Sequence, residues 1–337
     1  MNRKIRVLVL DDSLVFREVL SRGISTDLNI EVVAKAVDPF DARDKILEYQ
    51  PDIMTCDVEM PKMNGIEFIR KLLPQYPIPV IVVSSVSDAV FEALNAGAVD
   101  FVAKPNVQSP RSVELFIRDL IEKIKSVAGA KVIGNITSLK QVVTPSNMDM
   151  NKIVAIGAST GGTEAIFSIL KQLPEKMPGI VIVQHIPPLF SRMFAERLNN
   201  QTHFCVKEAA SGDYIEPGKV LIAPGDQHMM VKKIGNRYKV EVFFGDKVNG
   251  HCPSVDVLFE SIAKECNIQA VGVILTGMGY DGAKGLLAMR RRDARTIGQD
   301  EISSVVYGMP KVAFNVGAVE RQVPLAKIPE VLCAFLR

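Results

Sequence analysis

Over residues 1 to about 125, apolar positions fall into short β-branched runs separated by amphipathic stretches. The runs Ile5–Leu10, Ile30–Ala36, Ile53–Cys56, Val80–Val83 and Val99–Ala103 have strand length. Between them the spacing turns helical, as in Leu14, Val15, Val19, Leu20 and Ile24, with Ser13 ahead of them as an N-cap. A last helix is expected over roughly Arg111 to Val127. Strands that alternate with helices predict a parallel sheet covered on both faces. Residues 1–126 are therefore expected to form one doubly wound α/β domain.

The rhythm lapses over 127–151, where Gly129, Gly134, Asn135, Pro145, Ser146 and Asn147 interrupt any long element, so a linker is expected. From Lys152 a second α/β pattern begins and runs to the end of the chain. Its strand-like runs are Ile153–Ile156, Ile180–Val183, Val220–Ile222 and Val271–Leu275, with helical stretches at Glu164–Leu173 and Ser191–Leu198. Met229–Ile234 and Tyr238–Phe244 flank Gly235-Asn236, a hairpin signal. Residues 152–337 thus predict a second doubly wound, Rossmann-like three-layer sheet domain decorated by an antiparallel hairpin.

Composition adds exclusions. A net charge of +2 gives no global field for nucleic acid or an anionic membrane, so neither is expected as a partner. No apolar run reaches the length of a membrane-spanning helix, and the short run after Lys4 ends at Asp11-Asp12 with no signal-cleavage site. Five cysteines with no Cys-x-x-Cys pair argue against a disulfide scaffold or structural zinc and for the reducing cytoplasm.

Chemistry in an open parallel sheet gathers at the carboxyl ends of the strands. In the first domain Asp11 and Asp12 end the first strand, Asp57 the third and Ser84 the fourth, and Lys104 follows the fifth. Three clustered acids repel one another unless a hard cation binds between them, and oxygen ligands suit Mg2+. A carboxylate can accept a phosphoryl group, with Lys104 offsetting its charge and the Ser84 hydroxyl bonding it. Any one of these acids alone would read as a helix cap or a solvated loop charge; the set in this order favours the pocket.

In the second domain the first strand runs into Gly157-Ala158-Ser159-Thr160-Gly161-Gly162 and then a helix. A dinucleotide loop would need G-x-G-x-x-G and an acid after the next strand, but that strand ends in His185; a P-loop lacks its Lys-Ser/Thr pair. The alternative is a turn that exposes Ser159 in the manner of a nucleophile elbow. Asp281 lies in the glycine-rich turn after Val271–Leu275, at the same sheet edge, where a plainer role is the N-cap of the helix that follows. Ser159, His185 and Asp281 are the parts of a nucleophile, base and orienting acid, and amides near Thr160 and Met278 are expected to hold the oxyanion. His251 is expected to line the pocket, His228 to make a structural hydrogen bond, and the His251-Cys252 pair to be a poor thiol dyad, since neighbours in an extended chain point apart.

Two resemblances follow. Asp52-Ile-Met-Thr-Cys-Asp57, Met60-Pro61, Asn64-Gly65 and Phe101-Val-Ala-Lys104-Pro105 resemble the receiver (CheY-like) domains of bacterial two-component response regulators over about residues 4–126. This implies Asp57 as phosphoacceptor, a histidine kinase as donor and Phe101 as a switching aromatic. The stretch from Ser84 to Lys104 is short for such a domain, which weakens the expectation of a fourth helix. Ile156-Gly-Ala-Ser159-Thr-Gly-Gly162, Gln184-His185-Ile-Pro, Ala223-Pro-Gly-Asp-Gln-His228, Pro253-Ser-Val-Asp256, Thr276-Gly-Met-Gly and Gly308-Met-Pro310 are similar to the CheB family of chemotaxis protein-glutamate methylesterases. That resemblance spans both domains and implies hydrolysis of glutamate methyl esters on chemoreceptors, often with glutamine deamidation. It implies the kinase CheA as phosphodonor, Ser159, His185 and Asp281 as a triad, and no cofactor in the hydrolase half. Tyr280 and Cys252 depart from residues common in the family. A response regulator whose second half only binds a partner is the alternative, though such a module has no need of a triad.

Overall fold

A computed structural model describes residues 3–337 except 62, 86, 106–108, 129–146 and 267–269. The chain divides into two compact units, Met1–Ile136 and Thr137–Arg337. Most of the expected linker lies outside the described residues. At its start Val127 still belongs to a helix of the first unit; near its end the Asp149 amide donates to the Leu336 carbonyl of the second.

The first unit runs β1 (Ile5–Leu10), α1 (Leu14–Ile24), β2 (Ile30–Ala36), α2 (Pro39–Tyr49), β3 (Ile53–Asp57), α3 (Gly65–Leu72), β4 (Val80–Ser84), α4 (Ser87–Asn95), β5 (Asp100–Ala103) and α5 (Pro110–Val127). The strands form one parallel sheet in the order β2-β1-β3-β4-β5. The fourth helix is present, so the short Ser84–Lys104 stretch compresses it to nine residues without removing it. Ser13 is the N-cap of α1, accepting from the Phe16 amide, and Asp38, Asn64 and Ser109 cap α2, α3 and α5. These side-chain acceptors answer amides that the first helical turn leaves unpaired. β3 and β4 are buried along their whole length, as central strands covered on both faces must be.

The second unit continues β6 (Ile153–Ala158), α6 (Gly162–Gln172), β7 (Gly179–Gln184), α7 (Pro188–Gln201), β8 (Cys205–Glu208), β9 (Lys219–Ile222), β10 (His228–Ile234), β11 (Arg237–Phe243), α8 (Val255–Glu265), β12 (Ala270–Ile274), α9 (Ala283–Arg290), β13 (Arg295–Gln299), α10 (Met309–Asn315), β14 (Arg321–Val323) and α11 (Ile328–Phe335). Seven strands pair in parallel in the order β14-β13-β12-β6-β7-β9-β8. β10 and β11 form a separate antiparallel ribbon closed by the two-residue loop Gly235-Asn236, as expected. The ribbon buries Met229, Val231 and Val240 in the core that holds Leu258, Phe259 and Ile262 of α8. Each such fully buried side chain contributes about 1.5–3 kcal/mol by leaving water.

Strand order locates the crevices. In the first sheet the chain goes from β1 outward to β2 and returns to the other side of β1 with β3. In the second it goes from β6 outward through β7 and returns to the other side of β6 with β12. At such reversals the flanking connections leave on opposite faces and open a cleft beyond the strand ends.

Candidate active site and phosphorylation pocket

The first cleft holds the acids. Asp11 and Asp57 are buried and Asp12 is exposed, and one carboxylate oxygen from each lies within 4.8 Å of the others. Lys104 reaches in from the end of β5, with Nζ 2.6 Å from Asp57 Oδ2 and 3.1 Å from Asp11 Oδ2. Burial pulls the Lys104 ammonium down, but its bond to Asp57 and the charges of both acids raise it further, so it stays charged. Burial, only partly offset by Lys104 and reinforced by Asp57, pushes the Asp11 carboxyl above its ordinary value. Asp11 Oδ1 accepts from the Ser13 amide, whereas buried Oδ2 has no properly directed hydrogen bond among the described residues despite the nearby ammonium. An acidic oxygen left in this state, among three converging carboxylates, fits a hard divalent cation such as Mg2+. Ser84 is buried at the end of β4, and Phe101 is buried in β5 with its ring 6.4 Å from that of Phe91. Gly65 is required here: a Cβ would stand 2.1 Å from the Asp57 carbonyl oxygen.

The second cleft brings Ser159, His185 and Asp281 to the ends of the neighbouring strands β6, β7 and β12. Ser159 is held by its own amide donating to the Thr276 carbonyl and by the Gly162 amide donating to its carbonyl. The left-handed residue of the turn is Gly161, at φ 75°, and it starts α6. Glycine takes this backbone conformation without strain. Gln184, buried at the end of β7, donates from one amide nitrogen to the carbonyls of both Ser159 (2.8 Å) and His185 (3.1 Å). Its Oε1 occupies the space of an absent Gly162 side chain, 2.1 Å from where a Cβ would be.

His185 Nε2 lies 2.9 Å from Asp281 Oδ2. An ionised carboxylate only accepts, so Nε2 carries the proton and, in the neutral ring, Nδ1 is the basic nitrogen. Nδ1 is buried and has no hydrogen-bond partner among the described residues. His251 stacks on this ring, centroids 3.7 Å apart and planes 11° from parallel. Burial, with the charge of a protonated His185, pushes His251 down to about 4, so it packs as a neutral plate.

Asp281 is buried and does not cap the helix that follows it; Gly282, at φ 89°, is that N-cap. Its carboxylate turns instead to the start of α8. Oδ2 accepts from the Val255 amide (2.7 Å), and Oδ1 accepts from the Asp256 amide (3.2 Å), Ser254 Oγ (2.8 Å) and Asn249 Nδ2 (2.8 Å). Burial alone would raise this carboxyl, but bonds from His185, Asn249 and Val255 hold it well below the usual carboxylate range. The positive end of α8 acts in the same sense. His228 supports the arrangement as a structural histidine, its Nδ1 accepting from the Ser254 amide and its Nε2 bonding the Asp246 carbonyl. The amides of Thr160 and Met278 have no acceptor among the described residues and flank the Ser159 turn. Cys252 is half-buried, and burial pushes its thiol up, against a role as nucleophile.

Residues 154–332 match the CheB methylesterase family, and residues 7–113 match the response regulator receiver domain. A protein-glutamate methylesterase/protein-glutamine glutaminase from Syntrophomonas wolfei is 56% identical over 98% of this chain and 97% of its own length. This chain belongs to the CheB methylesterase family. Another relative with the same name, from Salmonella typhi, is 44% identical over 98% of this chain and 97% of its own. The CheB methylesterase catalytic domain of Thermotoga maritima superposes with a TM-score of 0.53 at 38% identity, covering 54% of this chain and 97% of that one. Among the described residues no helix is long and apolar enough to cross a membrane.

Of the residues around Asp281 in this CheB-family site, sequence reading missed Asn249 and carried Ser254 and Asp256 only inside the Pro253-Ser-Val-Asp256 motif, with no role at Asp281. One signal was present. Asn249-Gly250 is a hairpin dipeptide, and both residues adopt positive φ (54° and 85°) in a tight turn closed by mutual Val248–His251 backbone bonds.

Proposed function

We propose that this CheB-family protein is a phosphorylation-controlled methylesterase that removes methyl groups from glutamate side chains of chemoreceptors, with glutamine deamidation as a second activity. Ser159, His185 and Asp281 are its nucleophile, base and orienting acid. The observation that carries the reading is the His185–Asp281 pair, bonded through Nε2, with a bare Nδ1 in the cleft that also holds Ser159. The relatives' names supply the substrate class.

The steps follow from the protonation pattern. Asp281 fixes the Nε2–H tautomer, so Nδ1 takes the hydroxyl proton as Ser159 Oγ bonds to the ester carbonyl carbon. That contact requires Ser159 to turn toward the ring as substrate enters. The amides of Thr160 and Met278 receive the oxyanion. Collapse breaks the C–O bond, the leaving methoxide takes the proton from Nδ1, and methanol departs. Water then repeats the sequence at the acyl-serine and releases the carboxylate. With a glutamine substrate the leaving group is ammonia.

In the receiver domain, taken as residues 1–126, Asp57 is the proposed phosphoacceptor and a histidine kinase such as CheA the donor. Asp11, Asp12 and Asp57 would hold Mg2+, which supplies charge neutralisation at the phosphoryl oxygens. Lys104 adds a second cation, Ser84 a hydroxyl, and Phe101 the aromatic that responds. Phosphorylation is proposed to relieve an inhibition of the 152–337 hydrolase by shifting the population toward an open form. Five free cysteines fit the cytoplasm as the compartment.

Methanol release from methylated receptor tests this. Wild type should release it, Ser159→Ala should lose at least about a thousandfold in rate, and a small phosphodonor with Mg2+ should stimulate wild type but not Asp57→Asn. Full activity in Ser159→Ala would overturn the mechanism; equal stimulation of Asp57→Asn would overturn the switch.

A further inference from the structure

Two helix starts exchange carboxylates beside the active site. Asp281, which precedes α9, accepts from the first amides of α8, while Asp256, in the first turn of α8, accepts at Oδ1 from the Gly285 amide in the first turn of α9 (2.6 Å). The exchange brings two buried acids together, Asp281 at 1% and Asp256 at 4% exposure. Like charges this close in a poorly solvated site ordinarily share a proton rather than both ionise. A proton so recruited would weaken Asp281 as the acceptor that holds the His185 tautomer.

One side chain stands between them. Asn249 Nδ2 donates to Asp281 Oδ1 at 2.8 Å and to Asp256 Oδ2 at 2.7 Å. An amide nitrogen has two hydrogens, and both are spent here, one on each acid. Its position is set by the backbone, since φ 54° at Asn249 and φ 85° at Gly250 build the turn that aims it inward.

We propose that Asn249 is a positioning residue of the hydrolase: its carboxamide bridges Asp281 and Asp256, takes the place of a shared proton, and keeps Asp281 ionised against His185.

The surroundings agree. Facing the pair are His185 from the end of β7, His251 from the Val248–His251 turn, and Glu260 one turn along α8. The nearest cation on α9, Lys284, is exposed and engaged by Glu260 at 2.9 Å; Lys247 acts on His251. No lysine or arginine among the described residues makes an ion pair with either acid. Burial, then the Asp281 charge, lift the Asp256 carboxyl, while the Gly285 amide and Asn249 draw it down. Asp256 is therefore the member of the pair that would take the proton first.

The proposal rests on the assignment of Asp281 above, so its test reads the acids directly. Asn249→Gly keeps the left-handed turn, which glycine adopts freely, and removes the side chain that carries the carboxamide. In the full chain, 13C-labelled aspartate carboxyls are titrated by NMR in wild type and in the variant. The expected result is that the apparent proton uptake of the Asp281–Asp256 pair moves to higher pH by about one unit or more, a tenfold gain in proton affinity. The rate constant for methanol release should fall roughly tenfold or more, with little change in KM. Asn249→Asp, which keeps the turn and adds a third acid, should move the titration further. Carboxyl titrations that coincide in the folded wild type and Asn249→Gly would overturn the bridging role, even if activity fell, because a merely structural asparagine leaves them unmoved. If the titration shifts while Ser159→Ala stays active, the bridge stands and the esterase mechanism falls.

Discussion

Gln184 and Gly162 form a matched pair. The glutamine carboxamide braces the carbonyls of both Ser159 and His185, and it fits only because residue 162 has no side chain. Gly162→Ala should displace Gln184, destabilise the second unit by about 1–3 kcal/mol and slow methanol release, read by unfolding and by turnover. His251 offers a second test, since four histidines can be followed individually by NMR. Its ring should titrate near 4. A folded value below the ordinary 6.5 means the unfolded chain binds the proton more tightly. Stability associated with His251 is thus present above about pH 6.5 and is lost as pH falls toward 4, on the order of 3 kcal/mol in all. A His251 resonance titrating near 6.5 would contradict the packed, neutral ring. At this scale Ser159, His185 and Asp281 were legible as polar residues from their positions after strand-like runs. Asn249 was not, and Ser254 and Asp256 stood out only within a family-like motif, because their contacts with Asp281 come from 25 to 32 positions away in sequence.

Elements were legible where one face is apolar or the whole strand is buried. β1, β2 and β7 stood out as β-branched runs, and the β10–β11 ribbon through its turn dipeptide. β8, Cys-Val-Lys-Glu, is an edge strand with exposed alternate positions, and β14 has only three residues, too few for any period. β13, Arg-Thr-Ile-Gly-Gln, is buried over four of its five positions but keeps polar residues that bond inside the protein: the Gln299 side chain accepts from the Thr276 amide and donates to the Ser303 carbonyl. Composition hides such a strand. The plainer alternative for Asp281, a cap for its own helix, holds only for a different helix, the start of α8, because capping across elements leaves no local spacing to find. The β3–α3 connection carries its own prediction. Gly65→Ala would drive a Cβ onto the Asp57 carbonyl, so acetyl-phosphate-dependent phosphorylation of the first unit should fall well below wild type with the second unit's basal esterase rate kept.

At the scale of the molecule, two units use the same solution. Each has a parallel sheet, and each gathers polar residues where the strand order reverses, after β1 and β3 in one and after β12, β6 and β7 in the other. The alternation of strands and helices was enough to expect both sheets, whereas strand order required the pairings themselves. Cation binding should separate the units in a melt. Mg2+ against a chelator should raise the transition belonging to Met1–Ile136, by about 2.7 kcal/mol at a hundred times its dissociation constant, and leave that of Thr137–Arg337 in place. Equal shifts in both transitions would contradict a cation site confined to the three acids.

The β10–β11 ribbon stands outside the seven-stranded sheet, and at its tip Gly235 has open space where a side chain would be. Only two residues join its strands, and neither belongs to a catalytic turn. That makes the tip an address for engineering. A fluorescent or affinity tag spliced between Gly235 and Asn236 would leave every strand of the seven-stranded sheet uncut, so substrate capture could be followed on an enzyme whose chemistry is intact.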